Sequence, residues 1–137
     1  MGWGYSGLIE VAVKAKKTSI SKLAHIPKLR WEGRFSIDLA QHAIYSHVAE
    51  DSLYEFIFAP KPQSKRLIVF FSGDARRTLF DPPVFQRWSW ARKFPASCIY
   101  FSDPALHLRG DLGLGWYAGS AESDYLRGIW DIVNDFS

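Results

Sequence analysis

One cysteine, Cys98, in 137 residues excludes an internal disulfide and any cysteine-based metal centre. Its neighbours, Ala96-Ser97 before it and Ile99-Tyr100-Phe101 after it, are those of a buried strand. The thiol therefore reads as an inert core group and not as a nucleophile. No stretch approaches the roughly 18 consecutive apolar residues that a membrane-spanning helix needs. The N-terminal MGWGYSGLIEVAVKAKK has no basic segment followed by a long apolar core. No secretory signal is read there, and a cytoplasmic location is the expectation. Internal repeats and low-complexity tracts are absent. The four histidines, His25, His42, His47 and His107, form no His-x-x-x-His or Glu-flanked pattern, so no metal is expected. Gly110, Gly113 and Gly115 are spaced Gly-x-x-Gly-x-Gly and do not directly follow a strand. That removes the dinucleotide fingerprint, and no cofactor is expected. Charge of one sign is also scarce. With 17 basic against 14 acidic residues, the net +3 falls short of the excess usual in nucleic-acid modules. The basic groups at Lys14 to Lys17, Lys28 to Arg30, Lys65-Arg66 and Arg76-Arg77 read as solvated surface.

What is present is a core. The chain is 47% hydrophobic and 16% aromatic, too apolar for disorder and of a length that suits one domain. Residues 1–33 give no clear pattern beyond a short strand at Leu8 to Val13, and the organised domain is expected over 34–137. Arg34 to Leu39 alternates with Phe35, Ile37 and Leu39 on one side, which predicts a strand. Ala43 to Val48 and Leu53 to Ala59 are two more strand-like runs. Ala49-Glu50-Asp51-Ser52 between them has hairpin length. Pro60-Lys61-Pro62 stops the second run, because proline cannot donate to a strand ladder.

The pattern then changes. Leu67, Ile68, Val69, Phe70 and Phe71 are apolar without alternation, which predicts a strand covered on both faces. The run ends in Ser72-Gly73-Asp74. A helix of about three turns is predicted over 84–94, with Pro82 and Pro83 before it and Pro95 after it. Ser97 to Phe101 is another buried strand, closed by Ser102-Asp103-Pro104. A last helix, 121–136, is predicted with Leu126, Ile129, Trp130, Val133 and Phe136 on its buried face and Ser120 as N-cap. The order is an antiparallel meander followed by parallel β-α-β-α, an α/β fold with a mixed sheet. A fully apolar strand at 66–71 then wants a neighbour, since long apolar edges invite unwanted pairing. The chain as the front part of a longer domain, a second copy, or a strand order that covers the edge would each supply one. The first is the preferred reading.

In this order and in these residues the chain resembles the first half of an α/β-hydrolase, over about residues 34–137. The stretches VFFSGDARR, RWSWARKFPASCIYFSDP and LGWYAG further resemble hydrolase-like proteins associated with bacterial surface-polysaccharide biosynthesis. The resemblance implies an oxyanion hole at the turn after Phe71, with Gly73, Asp74 and Ala75 as candidates and the N–H of Asp74 or Ala75 as donor. Fixed amides of this kind stabilise the negative oxygen of a tetrahedral intermediate. The His-Gly pair usual in that family is matched only at Gly73, and the Asp74 carboxylate has to point away or pair with Arg76 or Arg77. The family's nucleophile sits in a Gly-x-Ser-x-Gly elbow. Gly115-Trp116-Tyr117-Ala118-Gly119 has the glycine spacing with tyrosine in the serine position. The nucleophile and its partners are therefore expected beyond Ser137, and catalytic residues are assigned to none of the positions in this chain.

Other residues carry binding chemistry. Arg76, Arg77 and Arg109 suit an anionic substrate such as a phosphorylated sugar, through forked hydrogen bonds. Trp116 and Tyr117 could stack on a sugar ring or plug the core. Asp103 is either a carboxylate at the mouth of a site or the end of an Asx-turn. Ser72, His107 and Asp103 could form a triad only with an unrelated chain order. The expected function is an esterase or acyl-transfer type domain, inactive alone, with a small-molecule or sugar-ester substrate. The alternative is a non-catalytic module that holds an anionic or sugar ligand, or a partner chain at an exposed strand edge. Nucleic acid and membrane are not expected partners.

Overall fold

The computed structural model describes residues 17–18, 23, 25–33, 40–73, 75, 77, 80–108, 115, 117 and 124–136. The strands expected at Leu8 to Val13 and Arg34 to Leu39 lie outside them. In chain order the strands are β1 (Lys17–Thr18), β2 (Lys28–Arg30), β3 (Ala43–Ala49), β4 (Ser52–Ala59), β5 (Leu67–Phe71), β6 (Phe80–Asp81) and β7 (Ser97–Phe101). One α-helix, α1, spans Tyr125–Asp135 among the described residues. β1 and β6 form a small parallel pair of their own. The other five strands form one sheet in the order β2-β3-β4-β7-β5. β2 runs parallel to β3, β4 is antiparallel to both its neighbours, and β7 is parallel to β5. The sheet is mixed, and the fold class is α/β. Four strands share one direction, so their carboxyl ends lie at one end of the sheet, together with the tip of the β3–β4 hairpin.

Period-two alternation divides the sheet's side chains between two cores. Ala43 and Tyr45 of β3, Tyr54, Phe56 and Phe58 of β4, and Ile99 and Phe101 of β7 face α1. Tyr125, Ile129 and Ile132 of the helix pack on them. Trp31, just past β2, stacks on Phe136 at 4.5 Å, and its Nε1–H donates to Asp135 Oδ2 at 3.0 Å. The opposite face carries Ile44, Ile57, Ala59, Cys98 and Tyr100, covered by Leu23, Ile26 and Phe85. Leu23 and Ile26 thus pack on the same sheet. Buried aromatic side chains dominate the layer facing α1, whereas the opposite layer is mainly aliphatic; each large side chain fully buried contributes about 1.5–3 kcal/mol of transfer free energy.

Four expectations change. The run 67–71 is covered on both faces, with Leu67 and Val69 against one core and Ile68 and Phe70 against the other. It is nevertheless a terminal strand among the described residues, because β7 inserts between it and the hairpin. Its residues are half-buried and Phe71 is 45% exposed. In place of the helix predicted over 84–94 there is a six-residue 3-10 helix, Trp88–Lys93. Arg87 takes a left-handed conformation (φ 62°) that breaks helical continuity. Val84 is tied instead to the strand ends, its N–H donating to Ser102 Oγ at 2.9 Å. The last helix begins later than predicted, and its N-cap is Asp124, whose carboxylate accepts the Arg127 N–H at 3.1 Å. Ser120, the predicted cap, lies outside the described residues. Finally, the buried stripe of α1 is Tyr125, Ile129 and Ile132, while Leu126 and Trp130 are 53% and 61% exposed.

Candidate functional site

The carboxyl ends of β5 and β7 lie side by side, with Phe71 paired to Phe101. Each strand leaves the sheet through a serine turn, Ser72-Gly73 and Ser102-Asp103. Adjacent parallel strand ends are where α/β sheets open a crevice for ligands. The polar groups at this crevice are bonded mainly to one another.

Ser72 is buried. Its Oγ has two carbonyl oxygens in reach, Phe101 at 2.9 Å and Val84 at 3.0 Å. A hydroxyl with one proton, facing acceptors from the backbone and with no imidazole against it among the described residues, is held and not activated. The Ser72 N–H donates to the Tyr117 hydroxyl at 2.6 Å, and that hydroxyl donates to the Phe101 carbonyl at 3.1 Å. Tyr117 is buried in a left-handed backbone conformation, φ 58°. Burial is the main cause that pushes its phenol above the ordinary tyrosine range, against the hydrogen bonds from Ser72; the Asp103 charge pushes it further up.

Asp103 is 1% exposed and accepts three backbone N–H groups. Ala105 donates to Oδ1 at 3.0 Å, and Gly115 and Tyr117 donate to Oδ2 at 2.9 and 3.4 Å. The carboxylate caps the short 3-10 helix Pro104–His107 and fixes the segment that carries Tyr117. Gly115 is needed for that closeness, since a Cβ there would stand 2.4 Å from the Ala105 Cβ. Asp103 therefore serves as an internal tie, in line with the Asx-turn alternative.

The remaining candidates separate. The Gly73 N–H donates to Gln86 Oε1 at 2.8 Å, so an oxyanion at that amide would have to displace the glutamine. Ala75 is buried with Val84 and Leu106. Arg77 is 8% exposed, donates from Nη1 to the Leu106 carbonyl at 2.8 Å and lies 3.8 Å from Asp81. It braces the crossover from within. Asp74, Arg76, Arg109 and Trp116 lie outside the described residues. His107 meets Glu55 at 2.5 Å, so Ser72, Asp103 and His107 each have other partners and do not form a triad. Sequence reasoning missed Gln86 and Ser102, whose side chains close the turn. A polar residue in a predicted helix gives no local sign that its amide will cap a strand-end glycine. Among the described residues no group of three or more His, Cys, Asp or Glu is arranged to hold a metal ion, and no helix is long and apolar enough to cross a membrane. Searches against protein-family models, curated proteins and solved structures find no match to the chain.

Proposed function

We propose that the chain provides the strand-and-turn scaffold of an α/β-hydrolase-like domain of the esterase or acyl-transfer type, with a sugar ester as the substrate class and surface-polysaccharide metabolism as the setting. The observation that carries this reading is the pair of parallel strands, β5 and β7, emptying side by side into the Ser72-Gly73 and Ser102-Asp103 turns. The sheet order supports it as well. A hairpin is followed by two parallel strands, and the later one is laid against the hairpin. The saturated hydrogen bonds of Ser72 and Asp103 support a scaffold role for these turns, so the described residues alone do not cleave a bond. The expected result is no hydrolysis of a short activated ester above buffer, and no labelling of Ser72 by a serine-directed phosphonate, read by intact mass. Ester turnover that Ser72→Ala abolishes while the unfolding midpoint is retained would sink the proposal.

A second reading, a non-catalytic assembly module, is favoured by one feature. Among the described residues β5 has a neighbour on one side only, and Phe71 at its end is half exposed. Sedimentation velocity separates the two. A concentration-dependent dimer that Val69→Pro prevents supports strand-edge pairing, and a monomer at all concentrations opposes it.

A further inference from the structure

At the hairpin end of the sheet, the Glu50-Asp51 turn and the first turns of α1 enclose an open cavity of about 440 Å3, lined in part by Glu50, Tyr54, Asp124, Arg127, Gly128 and Asp131. Three carboxylates and one guanidinium line it. None of the three carboxylates is ion-paired with a described residue. Asp124 is occupied on one oxygen by the Arg127 N–H at 3.1 Å, which leaves its other oxygen and both of the oxygens of Glu50 and Asp131 for a visitor.

The second observation is Tyr54. It is rooted in β4 and 4% exposed, and its ring passes under the helix at Gly128. Its hydroxyl has no hydrogen-bond partner among the described residues. The ring is buried, but the hydroxyl oxygen is open to the cavity, so a donor arriving there takes the place of water without breaking an internal hydrogen bond. Burial first, then Tyr125 and the charges of Glu50, Asp124 and Asp131, push its phenol upward and keep it protonated. A neutral phenol oxygen can accept an N–H while the carboxylates supply the field. The described acids do not converge as metal ligands. The volume instead suits a ligand of several heavy atoms, within the roughly 300–1,000 Å3 of small-molecule sites.

We propose that this cavity binds an organic cation bearing alkylammonium groups, of the linear polyamine class, with one ammonium against Tyr54 and the Asp131 carboxylate and another near Glu50. The site lies at the same end of the sheet as the serine turns and shares no side chain with them.

The test is titration calorimetry of the full chain with spermidine at low salt, with Mg2+ and trilysine as separate arms. Saturable binding at one site is expected, with no comparable heat from Mg2+. The Glu50→Gln/Asp131→Asn double variant should weaken it by about tenfold, the loss expected for two exposed attractions removed. Tyr54→Phe should weaken it by about threefold to tenfold, one net hydrogen bond. Glu32→Gln, an exposed acid away from the cavity, should leave it unchanged. Urea midpoints of the Glu50, Asp131 and Glu32 variants should match the parent, which separates lost binding from lost folding. Spermidine binding tighter than trilysine assigns a free polyamine, and the reverse order assigns the ammonium groups to a protein's lysines. Absent saturable binding, equal binding of Mg2+, or spermidine binding unaffected by the double variant overturns the site.

Discussion

Gly128→Ala is the perturbation whose sign the packing decides. Glycine inside a helix is about 0.8–1.0 kcal/mol less favourable than alanine, so propensity alone predicts stabilisation. The structure predicts the opposite. A Cβ on residue 128 would stand 2.1 Å from the Tyr54 hydroxyl oxygen, 2.3 Å from Cζ and 2.8 Å from Cε1. All three approaches are well inside contact, and they belong to one rigid ring. That ring cannot swing aside freely, because Tyr54 is 4% exposed and packs edge-on against Tyr125 at 6.2 Å. Overpacking of this kind costs about 1–3 kcal/mol, and the upper half of that range applies when the ring is held. Subtracting the propensity gain leaves a net loss of about 1–2 kcal/mol. In urea unfolding this lowers the midpoint by roughly 0.5–1 M at unchanged slope. The decisive control is the same change in a Tyr54→Leu background, where the three clashing atoms are gone. There Gly128→Ala should raise the midpoint, and the two results together give a coupling energy of the order of 2 kcal/mol. If Gly128→Ala stabilises the parent by the full propensity gain, α1 is not seated on Tyr54 and the account of this face is wrong.

Three further outcomes follow from the same packing. Asp103→Ala strands three N–H donors in the interior and should cost on the order of 3 kcal/mol by urea unfolding; a loss under 1 kcal/mol would show that the carboxylate does not hold the 115–117 segment. Because the folded-state phenol of Tyr117 lies above its ordinary value of 10.0, its contribution to stability is complete below that value and is lost progressively as pH rises from there through the higher folded-state value. The urea midpoint should therefore fall above about pH 10, less steeply in Tyr117→Phe, and equal slopes would refute the assignment. Ile129→Ala should cost about 2–4 kcal/mol, whereas Leu126→Glu and Trp130→Gln should each change stability by less than about 0.5 kcal/mol; equal losses would mean that the helix is rotated.

The hairpin, the α/β class and the existence of the strands at 67–71 and 97–101 were legible because each rests on a local pattern. Ala49 to Ser52 has the length of a two-residue turn, and Glu50 and Asp51 both take positive φ, 51° and 62°, as a tight hairpin requires. Strand position was not legible. An unbroken apolar run reports that both faces are covered, and faces are independent of edges. LIVFF meets both cores from the end of the sheet as well as it would from the middle, and the neighbour that settles the matter is some 30 residues away in sequence. The helix over 84–94 failed for a related reason. Val84 and Phe85 are apolar because they plug the strand ends and the second core, not because they begin a helical stripe. On α1, Tyr125, Ile129 and Ile132 form as good a stripe as Leu126, Ile129, Trp130 and Val133. Only the aromatic surface of β4 chooses between them. Of the candidate site, Ser72 and Asp103 were expected at neighbouring strand ends, and Asp103 and Tyr117 carried an Asx-turn and a core-plug reading beside the ligand-facing ones; which partners they meet was not legible. Their bonds to each other are long-range facts, separated by 14 to 45 residues.

Those bonds also bear on where a ligand can act. A visitor to the Ser72-Gly73 turn must first take the Gly73 N–H from Gln86 or the Ser72 N–H from Tyr117, and must then match what it breaks. Exchanging one satisfied hydrogen bond for another gains little, because only the surplus over the lost bond counts toward affinity. The Tyr54 hydroxyl and the Glu50 and Asp131 carboxylates stand in the opposite position. A ligand there meets a hydroxyl and carboxylates that no other described residue holds, so it displaces water and no internal hydrogen bond has to be broken first. On this reasoning affinity resides at the hairpin–helix cavity and rigidity at the serine turns. Restoring choice to the serine turn should then require removing its internal partners. Gln86→Ala, which frees the Gly73 N–H, is the single change that would convert a structural turn into one able to receive an anion, measurable as acetate or phosphate binding that the parent lacks. If the parent already binds such anions at that turn as tightly as the variant, internal saturation is not what keeps the site closed.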